Sequence, residues 1–512
     1  MLPHPDGDSE PNPRMNYSLV TLELLVVALG LGLLLVDLWL PAERKRSLGY
    51  VAAAAVGLIL FYSFTIAVGE PQFAFGKMYV LDGLAIFFKR FFLLAAFLVL
   101  LIAVEFSDRI AAGISEYYAL ICFALSGMMF AASANDFAML FVSIELIAIT
   151  FYVLTSFQRA RQISLEAGVK YLILGGAASA FMVFGIALVS GTTGSTEFGA
   201  IAAKLKANHD LAHQPVLLIG ALMVLVGLGF KIAAFPFQIW APDVYQGSPT
   251  PTTAFLSVGS KAAGFVLLLR FLDTAIPDVA RHWDKLLMGI AAVTILYGSL
   301  CAIPQRSLKR LLGYSSIANA GFMLLGVAAM SRAGSSAALY YLAGYLFTVL
   351  AAFAVLAIAL RQVEGDDISA LAGLHQRSPL LATTVTLAMV SLAGVPPLAG
   401  FLGKFLLLKA VVEQGAAHRA YYCLAGVAVV GVVISLYYYF GIIRAIYWSK
   451  ETPNLAPIEV DYPNRLVLAL CIAGMIILGV APARMVQRTD FAVNTLHADG
   501  TAVKVAVGET VR

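Results

Sequence analysis

The sequence predicts an all-α polytopic membrane protein of about fourteen transmembrane helices, on three observations. Hydrophobic residues make up 60% of the 512 residues and charged residues only 12%, a balance typical of membrane proteins. Apolar runs long enough to cross a hydrocarbon layer of about 30 Å recur along the chain. These runs do not alternate with polar residues, which favours helices over a spanning barrel.

Each predicted helix is one apolar run. In chain order the runs cover residues 17–40, 48–68, 82–104, 115–133, 136–157, 165–190, 215–235, 250–272, 284–303, 309–330, 336–360, 379–410, 421–447 and 464–486. Lys and Arg in short loops stay on the cytoplasmic side, and with this helix count most of them fall on one side. Both termini are therefore predicted to lie outside. Residues 1–16 and 489–512 are polar and are predicted to be loosely held tails.

Composition argues against several classes of function. The net charge of +4 is small for this length and predicts no nucleic-acid partner. Four cysteines lie in apolar runs without ligand spacing, so they are expected to pack in the core rather than to hold a metal or form a disulfide. The loops contain no phosphate-binding or dinucleotide motif. No cofactor is therefore predicted in this chain.

Lys261 is a costly charge inside an apolar run, AFLSVGSKAAGFVLLL. A central lysine costs roughly 2.5–3.5 kcal/mol on insertion scales, so it indicates a functional site with partners. Three further charges lie in other apolar runs, namely Glu145, Lys231 and Lys404.

Two of these lysines lie beside predicted helix breaks. Pro236 follows Lys231 in KIAAFPFQIW. Pro396 and Pro397 precede Lys404 in VPPLAGFLGK. Proline removes an amide donor, and free backbone groups at membrane depth need protein or a watery cavity around them. Interrupted segments in corresponding halves suggest a transport site between inverted repeats, although the order of lysine and proline differs. The alternative for Lys231 is an ordinary helix end whose amine reaches the headgroups.

Glu145 lies in FAMLFVSIELIAITFYVL, near the middle of its helix. A lone carboxylate at this depth takes up a proton and stays ionised only beside a cation; the alternative is a neutral Glu that packs against a neighbouring helix. Buried charges stabilise a fold no better than apolar packing does, whereas a desolvated lysine exchanges its proton readily. The four charges therefore predict a proton path in which Glu145 controls Lys231 and the proton passes to Lys261 and Lys404.

Charges near the helix ends have simpler explanations. Glu166 and Lys170 form an i, i+4 pair that is typical of surface support. Lys309 and Arg310 lie at the start of a helix on the basic side. Residues at such positions set the membrane topology about as often as they have a functional role. Asp243 either caps a helix or lines a path.

Three charges in the first apolar runs are less ordinary. Lys89 and Arg90 lie well inside their run, and Asp82 opens it. Mutual pairing, or contact with Glu23 or Asp37, is the favoured interpretation.

Several strings resemble a known family. GLGFKIAAFPFQIWAPDVYQGSPTPTTAFLSVGSKAAGF, SLKRLLGYSSIANAGFMLLG and SLAGVPPLAGFLGKF resemble the subunit N family of the proton-pumping NADH–quinone oxidoreductase, respiratory complex I. FVSIELIAITFYVL resembles the acid-bearing helix of that family. The similarity extends from about Leu19 to Ala483, and VYQGSPTP and KRLLGYSS are its most specific strings.

The resemblance implies a domain organisation. It implies helices 1–3 over residues 17–113, a first antiporter-like repeat of helices 4–8 over 114–272, an inverted second repeat of helices 9–13 over 273–448, and helix 14 within 449–488. It also implies roles: Glu145 as the pair-forming acid, Lys231 as the switching lysine, Lys261 as the central link and Lys404 as the residue toward the exit. Related subunits tend to carry Glu at the position of Lys404.

One position departs from the family pattern. Asn319 stands approximately where some members carry a His, and an amide does not accept and release a proton, so a relay role there is in doubt and water is the expected substitute.

The resemblance implies proton translocation coupled to quinone reduction, in the bacterial cytoplasmic membrane. The expected partners are other membrane-arm subunits, lipids and internal water, and the NADH, FMN, iron–sulfur and quinone sites are expected in other subunits. The alternatives are a subunit of a multisubunit cation/proton antiporter and a structural membrane-arm subunit.

Overall fold

The computed structural model describes residues 17–110, 112–363, 365–416, 418–448 and 456–496. The predicted tail 1–16 and residues 497–512 of the second tail lie outside this range. The prediction of an all-α polytopic chain is confirmed: thirteen helices within the described ranges are long and apolar enough to span a membrane.

The first part of the described chain contains three long helices and a short hairpin. They are α1 Thr21–Asp37, α2 Leu48–Ser63, β1 Gln72–Ala74, β2 Tyr79–Leu81 and α3 Gly83–Glu105, with 3-10 turns at Tyr17–Val20, Ala42–Ser47 and Ser107–Arg109. The two strands are antiparallel, with Gln72 opposite Leu81.

The next part contains the first broken helix. Its elements are α4 Ile114–Ala132, α5 Phe137–Thr155, α6 Gln162–Thr193, α7 Phe198–Ala207, α8 His209–Ala212, α9 Pro215–Ile232, α10 Trp240–Gly247, α11 Thr250–Phe255, α12 Lys261–Arg270 and α13 Pro277–Ala280. The π-helical segment Leu256–Ser260 joins α11 to α12, and a second one, Phe271–Ala275, continues α12 to the end of the same buried span. A 3-10 turn follows at Arg281–Trp283.

The last part contains the second broken helix. Its elements are α14 Asp284–Ala302, α15 Leu308–Ala328, α16 Arg332–Ala359, α17 Leu374–Arg377, α18 Pro379–Ala393, α19 Ala399–Gln414, α20 Ala420–Trp448, α21 Tyr462–Val480 and α22 Ala483–Asn494, with 3-10 turns at Leu360–Gln362 and Ile368–Leu371.

Three predicted boundaries differ from the structure. The run 464–486, predicted as one helix, is divided between α21, which ends at Val480, and α22, which begins at Ala483. The run 379–410, predicted as one helix, is two helices, because Gly394 ends α18 in the left-handed conformation (φ +83°) and Pro396 and Pro397 follow. Residues 489–494, predicted as part of a polar tail, are the last turns of α22, which packs against α3 and α16. Its apolar side chains are spaced by helical periodicity, which a search for continuous apolar runs does not detect.

The centre of the bundle is formed by the span α11–α12, α15 and α16. Nearly all residues of these spans are buried, whereas α1, α2, α6 and α20 leave apolar side chains exposed. Charged side chains in membrane helices face the bundle interior, so the central helices are where a buried polar site is expected.

The junction of α18 and α19 provides a test of the packing. A Cβ added at Gly400 would overlap the carbonyl oxygen of Ser391, whereas a Cβ at Gly426 in α20 meets nothing within 4 Å. We expect Gly400→Ala to lower the free energy of unfolding by about 1–3 kcal/mol, as overpacking does. Gly426→Ala should be neutral or slightly stabilising. Thermal unfolding of the two purified variants measures the difference, and equal melting temperatures would contradict this close approach.

Candidate functional site

Lys231 lies at the end of the first broken helix. α9 ends at Ile232, and Ala233 adopts the left-handed conformation (φ +59°), so the predicted break is confirmed. The carbonyl of Phe230 accepts a hydrogen bond from Trp240 Nε1 at 3.0 Å, which ties α10 to the end of α9. Lys231 itself is buried, and its Nζ forms no direct hydrogen bond or ion pair with the described residues.

Glu145 lies on α5 and is partly exposed at the surface of the bundle. Its Oε1 accepts a hydrogen bond from the hydroxyl of Ser179 on α6. Within the described part of the chain, no basic nitrogen lies within 4.0 Å of the Glu145 carboxylate. In this conformation Glu145 and Lys231 are therefore not in direct contact.

Lys261 is the first residue of α12, directly after a π-helical segment. Such segments are often found at functional sites. Its Nζ donates to both the carbonyl oxygen and Oγ of Ser316 on α15, each at 2.6 Å. Gly264, one turn further along α12, lies beside Lys231: a Cβ there would be 3.3 Å from the Cβ of Lys231. The helices that carry the first two lysines, α9 and α12, therefore pack against each other beside Lys231.

Ser316 joins Lys261 to two buried tyrosines. Its Oγ accepts a hydrogen bond from Tyr345 at 3.1 Å and lies 2.9 Å from the hydroxyl of Tyr245. A serine hydroxyl accepts at most two hydrogen bonds and donates one. Because Lys261 and Tyr345 fill the acceptor positions, the Ser316 hydroxyl donates to Tyr245.

Asn319 belongs to a second buried cluster, one turn further along α15. Its Oδ1 accepts a hydrogen bond from Tyr341 at 2.6 Å, and its Nδ2 donates to the carbonyl of Ser315 at 2.9 Å. The Oγ of Ser315 lies 2.5 Å from the hydroxyl of Tyr439 on α20. The amide thus connects hydroxyl groups from three helices.

Lys404 lies on α19, facing the end of α18. Its Nζ donates to the carbonyl of Leu392 at 2.7 Å and lies 4.6 Å from the centre of the Phe322 ring. Leu392 belongs to the last turn of α18, where carbonyl groups lack helical donors and the helix dipole is negative. The buried ammonium group therefore caps the helix that Gly394 ends.

Lys309 makes the same kind of contact at the end of α10 that lies away from the first break. Its Nζ donates to the carbonyl groups of Gln246 at 3.1 Å and Ser248 at 2.5 Å, at the end of α10. Lys309 is thus bound to the end of a neighbouring helix, which is a more specific role than setting the membrane topology.

Asp243 bridges two helices. Its carboxylate binds Lys170 of α6 at 2.7 Å and also binds Arg310 of α15. Two cations therefore hold the carboxylate, and these ion pairs fix α10 against α6 and α15.

The early charges form separate ion pairs. Lys89 lies 2.8 Å from Glu23, as predicted, and both side chains are fully buried. Asp82 is different: it pairs with Arg270 through two hydrogen bonds of 2.8 and 3.0 Å and accepts one from the amide of Ala85. The predicted partners of Asp82 were wrong, because Arg270 is 188 positions away in the sequence.

Arg90 also lacks its predicted acidic partner. Its Nη2 donates to the carbonyl of Ser63 at 2.8 Å, and its guanidinium group lies 4.7 Å from the centre of the Phe64 ring. The residues involved belong to the end of α2 and the loop after it.

The cysteines are all free. Cys122 and Cys471 are buried as predicted, but Cys423 is exposed and Cys301 is partly exposed, so the prediction of core packing is wrong for these two. A thiol is a small apolar group and therefore tolerates the outer surface of an apolar helix. In the part of the chain that the structure describes, no three His, Cys, Asp or Glu side chains lie together as metal ligands.

The hydroxyl groups around Lys261 and Asn319 were not predicted from the sequence. Ser316 binds Lys261 directly, and Tyr245 and Tyr345 bind Ser316. Tyr341 and Tyr439 bind Asn319. A weak signal exists for two of them: Tyr341 and Tyr345 are spaced i, i+4, which places two hydroxyl groups on one face of an apolar helix.

The chain resembles known membrane proteins over most of its length. A family model described as NADH:quinone oxidoreductase/Mrp antiporter, TM matches residues 134–435. NADH-quinone oxidoreductase subunit N of Desulforamulus reducens is 38% identical over 480 residues, which cover 94% of this chain and 98% of the relative.

Solved structures show the same similarity. A chain of respiratory complex I from Thermus thermophilus with bound aureothin is 32% identical, with a TM-score of 0.75 over 91% of this chain and 99% of that chain. A chain of the Mrp complex from Dietzia is 20% identical, with a TM-score of 0.78 over 94% of this chain and 98% of that chain, and shows a shared fold. On the extent and identity of these matches, the chain belongs to the NADH-quinone oxidoreductase subunit N family of antiporter-like, multi-pass membrane subunits.

Proposed function

We propose that this chain translocates protons as a membrane subunit of an NADH–quinone oxidoreductase, and that Glu145, Lys231, Lys261 and Lys404 carry the protons. The observation that carries the proposal is a row of side chains on α15. Ser316 binds Lys261, Asn319 lies one turn on, and Phe322 lies beneath the Nζ of Lys404. These three positions are spaced i, i+3, i+6, so about 9 Å of one helix face links two of the lysines.

The other two charges extend this row. Lys231 joins it through the contact of α9 with α12 beside Gly264. Glu145 lies at the partly exposed end, on α5, where it is accessible to a neighbouring subunit. Movement of the carboxylate toward Lys231 would favour the charged lysine and movement away would favour release of its proton, which makes Glu145 the control element.

The partners of Lys261 and Lys404 suit proton exchange. Carbonyl and hydroxyl oxygens accept a hydrogen bond from either an ammonium group or a neutral amine. A carboxylate partner would instead favour the charged form. Each lysine can therefore lose its proton without losing its partner. In this scheme Tyr345, Tyr341 and Asn319 hold the hydrogen-bonded row in place, and water carries the proton between amines.

The division into repeats is part of the proposal. Residues 17–113 form the N-terminal helices, 114–272 and 273–448 form two inverted five-helix repeats, and 449–488 contain the last span. The position of the broken helix supports this division. It is the fourth spanning helix in each proposed repeat, α9–α10 in the first and α18–α19 in the second.

The proposal assigns partners by family. Relatives are named as subunits of NADH-quinone oxidoreductase, so the expected partners are other membrane-arm subunits, with NADH, FMN, iron–sulfur clusters and quinone bound elsewhere in the complex. Electrons from quinone reduction do not enter this chain in this scheme; only a conformational signal reaches Glu145.

Replacement of Lys404 by Arg separates proton transfer from packing. Arginine still donates to the carbonyl of Leu392 but does not release its proton. We expect Lys404→Arg to assemble normally and to reduce proton pumping by about tenfold or more. Pumping is measured as acidification of inverted membrane vesicles during NADH oxidation.

The matched control is Lys409→Arg, on the same helix but exposed and paired with Glu413. It should pump as the unmodified complex does. If Lys404→Arg pumped normally, Lys404 would have a purely structural role and the proposed proton transfer through it would be wrong.

An independent cation/proton antiporter is the second candidate class, because the Mrp chain shares this fold. Under the favoured function the chain works only inside the complex. We therefore expect liposomes that contain this chain alone to show no cation-dependent proton flux above that of empty liposomes. Flux driven by a sodium or potassium gradient would favour the antiporter.

A further inference from the structure

The structure contains a groove that the proton pathway does not use. It lies between α3, α16 and α22, has a volume of about 660 Å³, and is called the α3–α22 groove below. Its walls are largely apolar and include Phe87, Phe91, Leu94, Leu346 and Phe347. A groove of this size is large enough for a ligand.

Three arginines line the same groove. Arg90 comes from α3, and Arg484 and Arg488 come from successive turns of α22. Within the described part of the chain none of the three forms an ion pair, and the buried Nε of Arg90 has no hydrogen-bond partner there. The groove therefore combines an apolar wall with unneutralised positive charge.

The position of these arginines is unusual for a membrane protein. α22 follows the last span and contacts the start of α3, because Phe491 lies against Gly83. In the orientation that the loop charges predict, this is the outer side, where Arg and Lys are normally rare. Arg90 lies seven residues into α3, about 10 Å from its start, so the charge extends from the interface toward the acyl region.

We propose that the α3–α22 groove binds an anionic glycerophospholipid. Its phosphate would bind Arg484 and Arg488, since guanidinium groups bind phosphate oxygens in pairs. Arg90 would contact the glycerol ester region, and an acyl chain would lie along Phe87, Phe91 and Phe347. A single ligand with one anionic end and one long apolar end matches both parts of the groove, and the membrane supplies it. The lipid would join α22 to the N-terminal helices.

Photolabelling of the purified complex tests this proposal. The probes are phosphatidylglycerol with a diazirine in its acyl chain and phosphatidylcholine with the same chains. We expect phosphatidylglycerol to label peptides of α3 and α16 at least about tenfold more than phosphatidylcholine, because two arginines each favour the anionic headgroup. The double variant Arg484→Gln/Arg488→Gln should lower the labelling to the phosphatidylcholine level.

The matched control is Lys206→Gln/Arg281→Gln, which removes two exposed charges predicted on the same side but away from the groove. It should label as the unmodified complex does. Equal labelling by the two lipids, or labelling unaffected by the groove variant, would overturn the proposal; the second result is expected if a neighbouring subunit fills the groove. Inorganic phosphate offers the arginines roughly the same phosphate oxygens as the lipid headgroup. If a roughly 10-fold excess of inorganic phosphate abolished the labelling by phosphatidylglycerol, the site would be assigned to free phosphate instead.

Discussion

The structure depends on a contact between a buried lysine and the backbone at the end of an interrupted helix. Lys404 caps α18 at the second break. This interruption leaves carbonyl groups without helical donors at a depth where water is scarce, and the lysine needs a partner there. The negative end of a helix satisfies a cation, so the break and the lysine stabilise one another. Lys309 caps α10 in the same way, at the end of α10 that lies away from the first break.

The chain holds buried cations in two ways. At the N-terminal helices each buried cation has an acidic partner: Lys89 of α3 is paired with Glu23 of α1, and Arg270 of α12 is paired with Asp82 at the start of α3. In the centre, Lys261 and Lys404 bind carbonyl and hydroxyl oxygens instead. The first arrangement suits permanent attachment of helices, and the second suits groups that change protonation. In the proposed mechanism the acid-paired cations therefore have a structural role, and Lys261 and Lys404 carry protons.

The sequence predicted the helices and the buried charges but, apart from Glu23 as the partner of Lys89, not their partners. Continuous apolar runs located the spans, and Pro236 and Pro396 located the breaks, because both signals are local. The partners are distant: Ser316 is 55 positions from Lys261, and Asp82 is 188 positions from Arg270. Backbone carbonyl groups also carry no sequence signal, so the contact of Lys404 with Leu392 required the folded chain. α22 was underestimated because its apolar residues are periodic rather than continuous.

The central claim is that Lys261 changes protonation during turnover. Its replacement by Met leaves Ser316 hydrogen-bonded to Tyr245 and Tyr345, so the core keeps its polar partners. The decisive measurement is the number of protons moved per NADH oxidised by Lys261→Met in reconstituted vesicles, with the exposed Lys285→Met as control. We expect a lower ratio, a slower quinone reduction or both for Lys261→Met and no change for Lys285→Met. An unchanged ratio and rate in Lys261→Met would contradict it.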